Sequence, residues 1–177
     1  MLSIVQAIIH LHHSFQDPSM LGFWPLDSQY GGADLSGNNN HMILHEFIQH
    51  PTGVEFLSTP ESFGEITTLH PERKFSWFCS LTLGTTTDAA LIEWQSGMQI
   101  WVLGSKLYVH VLYISGCHVP PISFNPLSAG QFYNLAVSVD VANSEVTMWI
   151  NEDQKTVALS PCDSDLRTTG TAYVGIR

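Results

Sequence analysis

Asp34, Ser36, Asn38 and Asn40 occupy every second position of the stretch Gly31-Gly32-Ala33-Asp34-Leu35-Ser36-Gly37-Asn38-Asn39-Asn40-His41. Oxygen-bearing side chains two apart, with exposed carbonyls and a glycine that permits a sharp bend, are how a loop wraps Ca2+. Only one of the four is charged, whereas hard cations are held by several carboxylates. Asp, Ser, Asn and Gly are equally the residues of Asx turns, in which the side chain accepts from the chain's own amides. On its residues the loop is either a calcium site or a self-satisfied turn.

Catalysis has less to work with. Glycosidic hydrolysis needs two carboxylates about 5–9 Å apart, flanking the bond. Glu93 stands alone between Ala89-Ala90-Leu91 and Trp94-Gln95, and Asp163 and Asp165 lie beside Pro161 and Cys162, a loop-forming context. No G-x-S-x-G is present to carry a serine nucleophile. His10, His12 and His13 offer imidazoles to a transition metal, but His41, His45, His50 and His70 show neither HxH nor HExxH spacing and read as scattered surface residues. The expectation is a chain that is not an enzyme. Sugar recognition would use aromatic rings that stack on pyranose faces and polar groups that bond hydroxyls. Trp94, Trp101, Tyr108 and Tyr113 are such rings; the alternative is that they complete the core, where aromatics contribute most burial.

These groups sit in a chain of 177 residues, 44% hydrophobic and 12% charged, which suits one domain and is too apolar for disorder. Six Lys and Arg against sixteen Asp and Glu give a formal charge of −10, with no Lys or Arg before Arg73. Phosphate backbones require positive surface, so nucleic-acid binding is excluded as a reading. Anionic lipid is disfavoured for the same reason, and no apolar run approaches the roughly 20 residues of a membrane-spanning helix. The partners left are neutral, polar or cationic. Cys79, Cys117 and Cys162 show no CxxC spacing, and their pairing stays open: one disulfide plus one buried thiol in an extracellular protein, or three buried thiols in a cytosolic one.

The elements that must position these residues are strands. In Phe75-Ser76-Trp77-Phe78-Cys79-Ser80-Leu81-Thr82-Leu83 the odd positions from Phe75 to Leu83 form one apolar face, a half-buried antiparallel pattern. Ala90–Trp94, Met98–Leu103 and Lys106–Ile114 follow, separated by Ser96-Gly97 and Gly104-Ser105, which suit tight hairpins. After Pro120-Pro121 come Phe132–Asp140, a turn at Val141–Ser144, Glu145–Ile150, a reversal at Asn151–Gln154, Val157–Leu159 and Ala172–Ile176. Some ten short strands and no amphipathic helix predict an all-β sandwich, with Phe75, Trp77, Trp149 and Leu135 in its core.

Trp24-Pro25-Leu26-Asp27, Gly31 and Asp34-Leu35-Ser36-Gly37-Asn38 resemble the opening signature of laminin-G-like (concanavalin A-like) jelly-roll domains. Val54-Glu55-Phe56 and Phe75-Ser76-Trp77-Phe78 resemble the next strands, the Trp lying closer to the Phe than usual. Leu127 to Asp140 resembles the family's L-x-x-G-x-W-x-x-V-A-x-x-x-D run, with Phe132 in place of Trp. Glu145–Asn151 resembles V-x-L-Y-V-N-G, with Glu152 in place of Gly, and Ala172–Gly175 resembles L-x-I-G. The resemblance covers about Met20 to Arg177. It implies a two-sheet antiparallel jelly-roll sandwich lacking its closing C-terminal strands, with Leu2–Leu11 as a segment that would cover the gap. Residues 1–19 are then an N-terminal extension or vestigial signal or linker, since the run has no basic start and ends in histidines.

The resemblance also implies an extracellular binding or adhesion module, in some relatives with a rim Ca2+; here Asp34 would be the first ligand, with Ser36 and Asn38 behind it. The resulting expectation is a non-enzymatic, secreted or ectodomain module binding a glycan or glycoprotein, with Ca2+ as the possible cofactor and no membrane insertion. The other expectation is a structural protein–protein interaction domain with no small-molecule ligand.

Overall fold

The computed structural model describes residues 4–5, 20–57, 59–67, 69, 74–84, 88–94, 97–159 and 165–175. In chain order the strands among them are β1 (Ile4–Val5), β2 (Ile43–His45), β3 (Phe47–His50), β4 (Gly53–Phe56), β5 (Phe63–Ile66), β6 (Lys74–Leu83) and β7 (Ala89–Trp94). They continue as β8 (Gln99–Leu103), β9 (Lys106–Leu112), β10 (His118–Pro126), β11 (Phe132–Asp140), β12 (Glu145–Ile150), β13 (Asp153–Ala158) and β14 (Ala172–Val174). They form two seven-stranded sheets, ordered β13-β12-β11-β6-β1-β4-β3 and β10-β9-β8-β7-β14-β5-β2. The pairings are antiparallel, as expected of a two-sheet all-β sandwich. No helix among the described residues is long and apolar enough to cross a membrane.

Alternation turns one face of each long strand toward the other sheet. β6 and β11 pair in continuous register from Phe132↔Thr82 to Asp140↔Lys74. That register places Leu135, Val137 and Val139 inside, all fully buried, beside Cys79, Leu81 and Leu83. Val146 and Met148 of β12 continue the layer. The second sheet answers with Ile100, Val102, Leu107, Val109 and Val111. Each such side chain, once buried, contributes roughly 1.5–3 kcal/mol before entropy is counted. Among the described residues Trp94 is the largest fully buried side chain, and its indole N–H donates to the Leu69 carbonyl at 3.0 Å, so the ring enters the core without an orphaned donor.

Trp149 departs from expectation. It lies between the inward Met148 and Ile150, so period two sends it to the outer face, where it is half-buried. Trp77 is half-buried against the core, and the side chain of Phe75 lies outside the described ones. β10 was not expected, because Pro120-Pro121 read as punctuation. The prolines fall where the β10–β9 register shifts, between Val119 and Ile122, on an edge strand whose outward amides need no partner. The Gly104-Ser105 turn joins β8 to β9 with φ of 52° and 66°, as a tight hairpin demands. Asn151, followed by Glu152 where Gly was expected, turns with φ 54°. Two residues of the expected N-terminal extension form β1: Ile4 pairs with Phe56 and Leu83, and Val5 with Glu55 and Thr82. The rest of residues 1–19 lies outside the described residues.

Leu135→Ala leaves a cavity between the sheets and is expected to cost about 2–5 kcal/mol. Trp149→Ala, on the outer face, is expected to cost less than Leu135→Ala despite removing more atoms. Urea unfolding of both variants checks the order; a larger loss from Trp149 would contradict its outward placement.

Candidate functional site

The Asp34 loop folds back on the segment that precedes it. The Asp34 carboxylate is buried and accepts four hydrogen bonds, each 2.9 Å long: Oδ1 from the Phe23 and Ser36 amides, Oδ2 from the Ser36 hydroxyl and the Asn40 amide. The Asp34 amide donates to His41 Nδ1. Asn38 Nδ2 donates to the Met20 carbonyl, Asn40 Nδ2 to the Leu21 carbonyl, and Trp24 Nε1 to the Asn40 carbonyl. The alternating Asp, Ser and Asn residues therefore form a clasp that ties residues 34–41 to residues 20–24.

The donor set does not fit a calcium ion. Ca2+ takes oxygens with free lone pairs, and a carboxylate offers about four acceptor directions, the number of N–H and O–H donors Asp34 already has. The Ser36 hydroxyl donates to Asp34 and accepts from the Asn38 amide. Among the described residues no group of three or more His, Cys, Asp or Glu is placed to hold a metal. Burial raises the Asp34 pKa, but the donation from Phe23, Ser36 and Asn40 outweighs it and leaves the carboxyl below its ordinary 3.8.

The four aromatic candidates divide cleanly between the two faces of the second sheet. Trp94 and Tyr113 are core residues, at 0% and 1% exposure. Trp101 and Tyr108 are half-buried on the outer face, directly opposite each other across β8 and β9. The next row of that face holds His110 opposite Gln99, and Gln99 opposite Glu93. The Trp101 indole donates to Glu93 Oε2 at 3.3 Å, and His110 Nδ1 lies 3.3 Å from Gln99 Oε1. Burial, then the neighbouring His118, lowers the His110 pKa and favours the neutral ring, whose Nδ1–H tautomer donates to Gln99 Oε1.

One acid pair was invisible along the chain. Tyr173 of β14 pairs with Glu93 on one side and Glu65 on the other, so the two carboxylates flank it in one row. Two strand spacings separate them, roughly 9–10 Å. Glu65 also faces His45 at 3.3 Å, and the His45 ring lies 4.5 Å from that of Phe63. A search confined to acids on one strand could not find this pair, because β5, β14 and β7 come from distant parts of the sequence.

The other candidates do not join this face. His50 pairs with Glu55 at 3.1 Å on the first sheet. Asp165 gives its carbonyl to the Ile114 amide. His10, His12, His13, His70 and Asp163 lie outside the described residues, as does Cys162. Cys117 is disulfide-bonded, and Cys79 is a free thiol whose pKa burial pushes up. An apolar cavity of about 30 Å³ between the sheets, lined by Val54, Phe56, Trp77 and Leu81 among others, is far too small for a sugar ring.

No protein-family model matches the chain, and no curated protein matches it significantly. Solved structures do. The receptor-binding domain of botulinum neurotoxin D is similar with a TM-score of 0.70 at 13% identity, over 92% of this chain and 45% of that one. The botulinum neurotoxin serotype D ligand-binding domain in complex with N-acetylneuraminic acid gives 0.66 at 12%, over 88% of this chain and 43% of that one. A sialidase gives 0.52 at 8%, over 81% of this chain and 14% of that one. The chain spans less than half the length of each. At such identities the likeness establishes the β-sandwich fold alone.

Asp34→Ala is expected to destabilise the protein by about 2–4 kcal/mol, since it orphans the buried Phe23 amide and its co-donors. A carboxyl whose folded pKa is depressed adds stability that is full above its unfolded value and is lost as pH falls through the folded one. Wild-type stability should therefore fall as pH drops below about 3.8, and Asp34→Asn should flatten that part of the profile. Calcium should leave the melting temperature unchanged; a calcium-dependent rise abolished by Asp34→Asn would overturn the structural reading of the clasp.

Proposed function

We propose that the chain is a non-enzymatic carbohydrate-binding module, laminin-G-like in type, working outside the cell as part of a longer protein. The observation that carries this reading is the outer face of β7, β8 and β9. There the half-buried Trp101 and Tyr108 stand directly opposite each other, and Glu93, Gln99 and His110 stand one row away with acceptors and donors for hydroxyls. Aromatic surface with a few placed polar groups is the usual make-up of a small-ligand site. The serotype D relative in complex with N-acetylneuraminic acid supports a sugar as partner for a sandwich of this shape. The Cys117 disulfide supports an oxidising compartment. Calcium has no role in this reading, because the Asp34 clasp is filled by the chain's own donors.

A second reading, a protein partner without a small ligand, is favoured by a different observation. Ile43, Phe47 and Ile48 are exposed on β2 and β3, consecutive strands that lie at the edges of the two sheets. Exposed apolar residues along sheet edges invite a neighbouring domain or chain. The two readings occupy different surfaces and are compatible in one molecule.

A glycan array probed with the whole chain tests the first reading. Binding is expected, and Trp101→Ala should weaken it by at least about tenfold, the scale of one lost aromatic contact. Ile43→Glu should leave glycan binding unchanged. Incubation with chromogenic glycosides is expected to give no hydrolysis; turnover lost in both Glu93→Gln and Glu65→Gln would overturn the non-enzymatic assignment.

A further inference from the structure

His110 and His118 meet on the outer face of the second sheet, at its β10 edge. Alternation turns His110 of β9 outward between the buried Val109 and Val111, and β10 places His118 opposite Leu112, the next outward residue of β9. The two side chains are diagonal neighbours, with ring centroids 6.1 Å apart and planes at 86°. His110 is half-buried and His118 exposed, so one ring is held and the other has room to turn. On the side away from β10, Gln99 of β8 lies opposite His110, and its Oε1 accepts from His110 Nδ1–H at 3.3 Å. In that tautomer His110 Nε2 keeps its lone pair.

Zinc bonds imidazole nitrogen at about 2.0–2.1 Å, which puts the centroids of two ligating rings roughly 5–6.5 Å apart, depending on the angle at the metal. The separation of His110 and His118 falls inside that range. A ligating histidine usually donates its other N–H to a carbonyl that fixes the ring, the part Gln99 plays here. We infer that His110 and His118 form a two-imidazole site for a first-row transition-metal ion such as Zn2+ or Cu2+, with Gln99 as its positioning residue and the other coordination positions left to water. Nitrogen ligands suit these ions, whereas Ca2+ and Mg2+ take oxygen. Burial and then the charge of His118 disfavour a proton on His110, and a bound ion uses the lone pairs of both rings in place of two repelling protons. Around the pair, Lys106 stands exposed at the far hairpin end, beyond Tyr108. Arg167, exposed, bonds the Leu112 carbonyl through its amide and opposes a cation; Asp165, bonded to the Ile114 amide through its carbonyl, favours one. The formal charge of −10 draws cations to the chain as a whole. The pair joins β9 to the edge strand beside Pro120-Pro121, where their register shifts, so a bound ion fastens that edge where its ladder is interrupted.

Zn2+ titrated into the whole chain, with the imidazole nitrogens followed by NMR, tests this. The chain carries His10→Asn, His12→Asn and His13→Asn, so that the N-terminal histidines do not compete. The expected result is saturable binding of one ion in the micromolar range, with the His110 and His118 signals moving together, and a melting temperature that rises with Zn2+. His118→Asn, an exposed substitution, should melt like its parent without metal and lose the rise. Gln99→Ala should weaken binding by about 10- to 100-fold and release His110 from the Nδ1–H tautomer in the same spectra. Zn2+ that moves neither ring or only one, or that stabilises His118→Asn as much as its parent, would overturn the site. Unchanged affinity and tautomer in Gln99→Ala would overturn the positioning role of Gln99.

Discussion

The structure depends on one constraint: the side chains of a strand point alternately to opposite sides, and only one side can be dry. In the β6–β11 pair this fixes every residue's role at once. A slip of one position would carry Leu135, Val137 and Val139 from full burial into solvent and drive Asn134, Ser138 and Asp140 between the sheets. Desolvating those polar groups without partners would oppose the slip as strongly as losing the apolar contacts. The outer face of the second sheet exists because of the same alternation. Trp101 stands out because Ile100 and Val102 must stand in, and Tyr108 because Leu107 and Val109 must.

The Asp34 clasp solves a different problem. Residues 20–42 enter the sandwich without strand hydrogen bonds, so their backbone amides need acceptors from elsewhere. One buried carboxylate accepts from three of them and from the Ser36 hydroxyl, and the asparagine side-chain amides answer two carbonyls of the incoming segment. Spacing by two, which resembles a cation loop in the sequence, here aims backbone donors at a carboxylate. The same residue types serve either purpose, and only the direction of the N–H groups distinguishes them.

Much of the fold was legible because β6, β8, β9, β11 and β12 are long enough for alternation to show; the paired hairpins around Gly104-Ser105 and Val141–Ser144 followed from turn chemistry. The short strands β2, β3 and β5 were not legible, being three or four residues each with little contrast between faces. β10 was hidden by its prolines, which a central strand would not tolerate but an edge with a bulge does. Trp149 was misplaced in the core because a large aromatic was weighed by size; its neighbours Met148 and Ile150 already fixed its direction. Of the site, the aromatic residues were visible, but the row that joins Glu93 to Tyr173 and Glu65 was not. It is made by strand order, which no local pattern carries.

The division of aromatic residues between interior and outer face is the claim on which the fold and the proposed ligand face both rest. Hydroxyl-radical footprinting of the native protein, read by mass spectrometry at single residues, measures it directly. Trp101 and Tyr108 should oxidise readily while Trp94 and Tyr113 stay protected until the protein unfolds. Oxidation of Trp94 in the folded state at a rate matching Trp101 would contradict the sandwich as described.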